Sequence, residues 1–116
     1  MTDYRNLTVW QKSIELAETI YQIVKLLPKE ETFVLSDQMR RAAISVSSNI
    51  AEGQARDTNA EFLRFLRIAN GSRAELETQL VLCQRIFGIS AEETEKAQTL
   101  CAEIGKMLYA IINKLS

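Results

Sequence analysis

Four arginines between positions 56 and 73 are the side chains of this sequence best suited to binding an anion. They are Arg56, Arg64, Arg67 and Arg73. On a helix, Arg64 and Arg67 would lie on adjacent turns of one face, and Arg56 would lie in the loop before them. Guanidinium groups bind phosphate oxygens, and a row of them is typical of a surface that contacts nucleic acid. The same spacing also fits an ordinary solvated helix face, which is the interpretation that we favour.

The charge distribution limits any such binding. The whole chain has a net charge of −1. Residues 36–73 carry six arginines and four acids, whereas residues 74–104 carry six glutamates and two basic residues. Phe62 and Phe65 are expected in the core, so few aromatic side chains remain to stack on bases. We therefore expect weak binding to nucleic acid at most, without sequence-specific readout.

A second set of polar side chains has two interpretations. It consists of Arg40, Arg41, Asn49, Glu52 and Glu75. The set could bind an anion, or its members could be satisfied polar groups at contacts between helices or subunits. We favour the structural interpretation, because partly buried arginines are normally paired. Arg41 and Glu52 are eleven residues apart and cannot pair within one helix, so we expect Arg41 to meet Glu75 on the neighbouring helix.

The sequence offers little for catalysis or metal binding. It contains no histidine, which removes the usual general base at neutral pH and the commonest metal ligand. A carboxylate-bridged metal centre in a helical bundle needs Glu-x-x-His pairs, and Glu75 and Glu77 are too close in sequence to share one helix face. Cys83 and Cys101 are far apart and are expected to be reduced, buried apolar residues. We therefore expect no enzyme activity, no cofactor and no metal.

Apolar residues recur at three- and four-residue steps along most of the chain, which predicts an all-α fold. The predicted helices span residues 9–27, 37–52, 59–87 and 91–115 of a single domain, residues 1–116. Pro28 and Gly88 are expected to end the first and third helices. Short loops between the helices predict an antiparallel up-down-up-down four-helix bundle. Three capping boxes mark predicted helix starts: Thr8 with Gln11, Thr58 with Glu61, and Ser90 with Glu93.

Residues 36–53 are expected to form the central helix of the bundle. Ser36 would cap its start, and Gly53 would provide a left-handed turn after its end. The stripe between them is small and apolar, so that a neighbouring helix can approach closely. It consists of Met39, Ala42, Ala43, Val46 and Ile50. In the connector before this helix, Phe33 and Leu35 are expected to tuck under the bundle.

Two helices carry more apolar surface than one bundle core needs. In the third helix, Leu63, Leu82 and Ile86 lie away from the main stripe. In the first helix, Leu16 and Ile23 lie beside the expected core face. That face consists of Trp10, Ile14, Ala17, Tyr21 and Val24. Monomers rarely expose large apolar patches, so we expect copies of the chain to bury this surface in a homo-oligomer, which is a ring if the rotation closes.

No segment of the sequence has the features of a membrane or exported protein. Its apolar runs fall short of the roughly 20 residues that span a bilayer. The first residues lack the basic and apolar regions of a signal peptide. We expect a cytoplasmic protein with no membrane partner.

Four ordered motifs carry a resemblance to a known family. They are L-T-V-W-Q-K at residues 7–12, Q-M-R-R-A-A-I-S-V-S-S-N-I-A-E-G at 38–53, F-L-R-F-L-R-I-A at 62–69 and G-S-R-A-E-L-E-T at 71–78. Together they resemble the four-helix-bundle proteins of the 23S ribosomal RNA intervening-sequence protein family. The resemblance implies a bundle that assembles into homopentameric rings. It also relates the chain to an accessory protein of diversity-generating retroelements, a basic pentamer that binds nucleic acid.

Two positions depart from the pattern of that family. Ser47 stands where proline is common, and Asn70 stands where a basic residue is common before the Gly-Ser pair. The second difference lowers the positive charge and weakens the expectation of nucleic-acid binding. The predicted function is assembly or scaffolding by a homopentamer. The alternative is a nucleic-acid-binding accessory factor that uses the arginine-rich rim.

Overall fold

The fold consists of four α-helices. The computed structural model describes residues 3–116, in which α1 spans Thr8–Ile23, α2 Leu35–Gln54, α3 Asn59–Phe87 and α4 Ala91–Leu115. No β-strand occurs in this part of the chain, so the predicted all-α, four-helix fold is confirmed. No helix among these residues is long and apolar enough to cross a membrane. Short 3-10 turns occur at Tyr4–Asn6, Val24–Leu26 and Lys29–Glu31.

One apolar core holds the helices together as a bundle. Both α1 and α3 pack against α2 and α4. The largest fully buried apolar side chains come from all four helices: Leu16, Ile20, Met39, Ile50, Leu66, Leu76, Leu80, Ile104 and Leu108. Burial of one such side chain contributes roughly 1.5–3 kcal/mol relative to leaving it exposed. This core therefore dominates the stability of the bundle.

Local capping interactions set the ends of α3 and α4. The hydroxyl of Thr58 accepts a hydrogen bond from the Glu61 N–H, and the hydroxyl of Ser90 accepts one from the Glu93 N–H, each at 3.2 Å. Gly88 stops α3 with a φ of 67°, a left-handed conformation that glycine adopts without steric cost. The bounds of both helices agree with those that these residues predict.

Helix α1 departs from its predicted ends. Thr8 is the first helical residue rather than the cap, because Leu7 occupies the cap position and makes no side-chain bond there. The regular helix stops at Ile23, and a 3-10 turn follows it. Pro28 keeps Leu27 in an extended conformation, with a ψ of 151°, so the chain leaves the helix earlier than its apolar periodicity predicts.

The core face of α1 is also rotated from the predicted one. Val9, Leu16 and Ile20 are buried, whereas Trp10 is half-buried and Tyr21 is 40% exposed. Because α1 packs against both α2 and α4, its aliphatic side chains fill the space between them. The aromatic side chains lie at the edge, where their polar atoms can reach water.

Both of the expected end residues of α2 lie inside the helix. Ser36 is its second residue and is buried, so it does not cap. Gly53 lies within α2 and does not form a left-handed turn. Among the described residues, only Gly88 is a glycine with a positive φ. A Cβ atom added to Gly53 would lie 2.7 Å from the Cβ of Phe65 and 3.0 Å from a ring carbon of Phe62. The glycine is therefore required for the close approach of α3 and not for a turn.

The small apolar stripe of α2 faces the core as predicted. Ala42, Ala43 and Val46 are buried. Beside them, the Ser72 hydroxyl of α3 donates a hydrogen bond to the Ser45 hydroxyl at 2.8 Å. Two such short side chains meet only where the helix axes lie close together.

The connector between α1 and α2 contradicts one expectation. Leu35 is buried, but Phe33 is 89% exposed and Val34 is 53% exposed. Leu35 precedes Met39 by four residues and so continues the buried stripe of α2. Consecutive side chains of the connector cannot all point into the same core, and Phe33 remains in solvent.

Two glycines provide a matched test of this packing. Gly53→Ala should destabilise the protein by roughly 1–3 kcal/mol, because the new methyl group must displace Phe65. Gly71, inside α3, has no described atom within 4 Å of an added Cβ. Gly71→Ala should therefore stabilise the protein by about 1 kcal/mol through its higher helix propensity. Urea denaturation measures both changes, and a stabilising Gly53→Ala would show that α2 and α3 are further apart.

Candidate nucleic-acid interface

Two of the predicted arginines stack on one aromatic ring where α2 ends and α3 begins. The guanidinium carbon of Arg56 lies 4.8 Å from the centre of the Phe65 ring, and that of Arg64 lies 4.4 Å from it. The ring belongs to a residue that is only 6% exposed. Cation–π attraction holds both guanidinium groups against this ring. Sequence spacing missed the arrangement, because it depends on Gly53 allowing Phe65 to approach the end of α2.

Each stacked arginine also has a nearby carboxylate partner. Arg56 Nη2 lies 3.1 Å from Glu52 Oε1, and Arg64 Nε lies 3.1 Å from Glu61 Oε2. The hydrogen bond from Arg64 and its positive charge lower the pKa of the Glu61 carboxyl. Exposed pairs of this kind are worth little in water, so a phosphate can compete for the arginines. The carboxylates nevertheless neutralise much of the local positive charge.

Arg67 is the one of the four candidate arginines that has no partner. It lies on the turn after Arg64, is exposed, and makes no ion pair or hydrogen bond with any residue of 3–116. Its guanidinium can therefore bind an anion without breaking another contact. We call Arg56, Arg64 and Arg67 the exposed rim.

Arg73 lies apart from this rim, between α3 and α4. Its Nη1 donates to Glu77 Oε1 at 2.7 Å and its Nε donates to Asn70 Oδ1 at 2.9 Å. The side chain is 15% exposed. A Cβ atom added to Gly105 of α4 would lie 3.0 Å from its guanidinium carbon, so the glycine provides the space that Arg73 occupies. Both of its hydrogen-bond partners lie on α3, and the guanidinium packs against Gly105 of α4. It is therefore not presented on the basic face that the sequence spacing predicts.

A shallow hollow lies beside the exposed rim. It has a volume of about 300 Å³, and Arg56 and Asp57 are the charged residues that line it. The remaining lining residues are Gln54, Thr58, Asn59, Phe62 and Leu115. The opposite charges of Arg56 and Asp57 cancel, so the hollow has no excess positive charge to attract a phosphate.

The expected ion pair between Arg41 and Glu75 is not formed. Arg41 Nε donates to Asp37 Oδ2 at 2.9 Å, and Glu75 Oε2 accepts from Gln79 Nε2 at 3.1 Å. Each side chain thus finds a partner four residues away on its own helix, where the distance is fixed by helix geometry. The prediction was wrong because it overlooked these local partners.

The other members of the predicted polar set also make local contacts. Arg40 donates to the Thr32 carbonyl at 3.1 Å. Asn49 donates to the Ser45 carbonyl at 2.8 Å, and Glu52 pairs with Arg56 of the exposed rim. The five residues are therefore separate side chains with separate partners and do not form one cluster.

Both cysteines are buried, as predicted. Burial raises the pKa of the Cys83 thiol, and burial together with the nearby Glu77 charge raises the pKa of Cys101 to about 12. Cys83 Sγ lies 3.6 Å from Met39 Sδ. Neither thiol is placed to act as a nucleophile, because the thiolate is the reactive form. No group of three or more acidic or cysteine side chains among residues 3–116 is arranged to hold a metal ion.

A protein family and a solved structure are similar to this chain. The sequence profile of the 23S rRNA-intervening sequence proteins matches residues 5–110. A crystal structure of a protein of unknown function from the S23 ribosomal protein family of Bacteroides thetaiotaomicron has a TM-score of 0.82 and is 35% identical in sequence. The alignment covers 90% of this chain and 98% of that one. No curated protein matches the chain.

The contrast between Arg73 and Arg67 gives a direct test of their placement. Arg73→Ala should destabilise the protein by about 1 kcal/mol, because Glu77 and Asn70 of α3 lose their partner and the packing against Gly105 of α4 is lost. Arg67→Ala should change stability by less than about 0.5 kcal/mol, because its side chain is exposed and unpaired. Chemical denaturation measures both values. Equal changes in stability for the two variants would contradict the placement of Arg73 between α3 and α4.

Proposed function

Because this chain belongs to the 23S rRNA-intervening sequence protein family, we propose that it is a non-enzymatic assembly or scaffold protein whose copies form a homo-oligomer. The subunit of this assembly is an up-down-up-down antiparallel bundle, and the assembly is a ring with five members. The lack of histidine in the sequence supports a role without acid–base catalysis at neutral pH.

Contacts between helices support the antiparallel order. Met39 of α2 contacts Cys83 of α3, and Ser45 further along α2 contacts Ser72 earlier along α3. Two contacts between α3 and α4 support the same antiparallel arrangement for these helices. Gln84 of α3 donates to Thr94 near the start of α4, whereas Arg73 lies against Gly105 further along α4.

Exposed apolar side chains are the observation that carries the oligomer proposal. Phe33 is 89% exposed, Tyr109 69% and Ile86 64%. Single exposed apolar residues are normal on a monomer, whereas adjacent ones favour a protein–protein contact, and Leu82 and Ile86 lie one turn apart on α3. Leu16 and Ile23 were also expected to be exposed, but both are buried and contribute nothing to the exposed apolar surface. Leu82 is 37% exposed, as expected.

Nucleic-acid binding is the second candidate function, and the unpaired Arg67 is the observation that favours it. A ring would repeat the exposed rim once per subunit, so that several weak phosphate contacts act together. The carboxylates Glu52 and Glu61 oppose this binding. We therefore propose nucleic-acid binding only as a weak, salt-sensitive property.

The mass of the protein in solution tests assembly. Light scattering on a sizing column should give about five times the 13.2 kDa mass of one chain, and the mass should persist across a dilution series. A monomer at micromolar concentration would contradict the homo-oligomer. A dimer would contradict only the number of five.

Retention on a nucleic-acid column tests the second candidate. We expect weak retention at low salt that disappears as the salt concentration rises. Arg64→Glu with Arg67→Glu should abolish it, because both changes remove cations of the exposed rim. Lys25→Glu with Arg85→Glu is the control, since it changes the net charge equally at exposed positions elsewhere. Equal losses in the two variants would indicate attraction by net charge alone.

A further inference from the structure

An open acidic groove runs along α1 and the first half of α4. Two adjoining hollows form it, and Lys96 lines both of them. All of the lining residues lie within 12–26 and 91–103, and these two segments carry six glutamates and three lysines. Leu100 lies in the groove and is buried, so its floor is partly apolar. The groove therefore has an excess of three negative charges.

The lysines of the acidic groove already have partners. Lys12 pairs with Glu103 at 3.3 Å, and Lys96 pairs with Glu15 at 3.5 Å. Lys25 bonds a neighbouring glutamine at 3.3 Å. The other four glutamate side chains make no ion pair or hydrogen bond with any residue of 3–116; they are Glu18, Glu92, Glu93 and Glu95. A cation from another molecule can approach these carboxylates without breaking a contact.

A different surface lies on the first half of α3 and the second half of α4. Arg73 lies against Gly105, so that earlier residues of α3 lie beside later residues of α4. On each helix, four residues at steps of four, three and four share one side, and none of the eight is buried. We call these residues the α3/α4 face: Leu63, Arg67, Asn70, Ala74, Ala102, Lys106, Tyr109 and Asn113.

The α3/α4 face is cationic and has an aromatic side chain. Arg67 and Lys106 are exposed, and neither makes an ion pair or hydrogen bond with a described residue. Residues 59–77 and 104–116, which include the neighbouring ion pairs, carry five cations and three carboxylates. Tyr109 is 69% exposed. Tyrosine and arginine are enriched at protein–protein interfaces, so the composition of this face fits a protein partner with carboxylates.

We propose that the α3/α4 face of one copy docks on the acidic groove of the next copy, where Arg67 and Lys106 meet the unpaired carboxylates. A second copy is the occupant because the chain carries both members of this complementary pair, with an excess of two positive charges on one and three negative charges on the other. One chain cannot join them itself, since the face lies on α3 and α4 and the groove on α1 and α4.

This contact deepens the homo-oligomer of the preceding subsection, on which it rests, by naming the surfaces that build it. The contact is heterologous, because each chain offers a different surface to each of its two neighbours. Repetition of such a contact gives a closed ring when the rotation allows closure.

Charge reversal on each surface tests the contact. Glu92→Lys with Glu95→Lys reverses the groove. Arg67→Glu with Lys106→Glu reverses the face. Each double variant should raise the apparent dissociation constant of the assembly at least about tenfold, because like charges then face each other. All four substitutions in one chain should restore assembly, since a negative face then meets a positive groove at an unchanged net charge. Light scattering across a dilution series measures the mass.

Matched variants separate the contact from the effect of net charge. Glu30→Lys with Asp57→Lys changes the net charge as the groove variant does, and Lys29→Glu with Arg85→Glu changes it as the face variant does. These four residues are exposed and lie outside both surfaces. Neither control should change the mass. Equal dissociation of control and test variants would overturn the inference.

Disulfide crosslinking decides the matter if circular dichroism shows that a reversed variant is misfolded. A Lys106→Cys chain mixed with a Thr99→Cys chain should form a covalent dimer under mild oxidation, because Thr99 lines the groove. The native Cys83 and Cys101 are buried and do not compete. Glu30→Cys replaces Thr99→Cys in the control mixture and should not crosslink.

The remaining outcomes separate this contact from the homo-oligomer itself. An assembled protein that neither reversal dissociates, or that lacks the 99–106 crosslink, overturns the contact and leaves the homo-oligomer standing. A monomeric unaltered protein overturns both. If Arg67→Glu with Lys106→Glu keeps the mass but abolishes retention on a nucleic-acid column, the contact is overturned and the α3/α4 face is assigned to nucleic acid.

Discussion

The close approach of α2 and α3 is the constraint on which the rest of the structure depends. Gly53 leaves no side chain between the helices, and Ser45 meets Ser72 further along the same contact. Phe65 is thereby pressed against the end of α2. The turn after α2 then places Arg56 on the Phe65 ring, which Arg64 also covers. The position of the exposed rim follows from the packing of two helices and not from a binding loop.

Ion pairs within single helices explain why little excess positive charge remains on the surface. Most arginines of the bundle have a carboxylate or amide within one turn, and such neighbours are held close whatever the rest of the fold does. The cationic groups without an ion pair or hydrogen bond among the described residues are those of Lys29, Arg67, Arg85, Lys106 and Lys114. They lie on the connector, on α3 and on α4, so the remaining positive charge is dispersed over the surface.

Sequence patterns predicted the features that depend on near neighbours in the chain. The caps at Thr58 and Ser90 and the left-handed Gly88 set the ends of α3 and α4, because each acts within one turn. The errors are of two kinds. Some are local, because Thr8 and Ser36 lie inside their helices and Arg41 pairs with Asp37 on its own helix. The others concern contacts between distant segments. Gly53 looks like a helix end until Phe65 is found against it. The stack of Arg56 and Arg64 on Phe65 depends on that contact, so the sequence showed the arginines but not their arrangement.

The contact between Arg73 and Gly105 couples two positions that lie far apart in the chain. A side chain at position 105 would meet the guanidinium of Arg73 at about van der Waals distance or closer. An alanine at position 105 therefore requires the end of the Arg73 side chain to shift by a few tenths of an ångström. A larger residue requires a greater movement or a shorter side chain at position 73, so the two positions should covary among related sequences. Glu77 and Asn70 would be released by the same exchange, because they lose the guanidinium that they bind. A single glycine of α4 thus limits the substitutions that four positions can accept together.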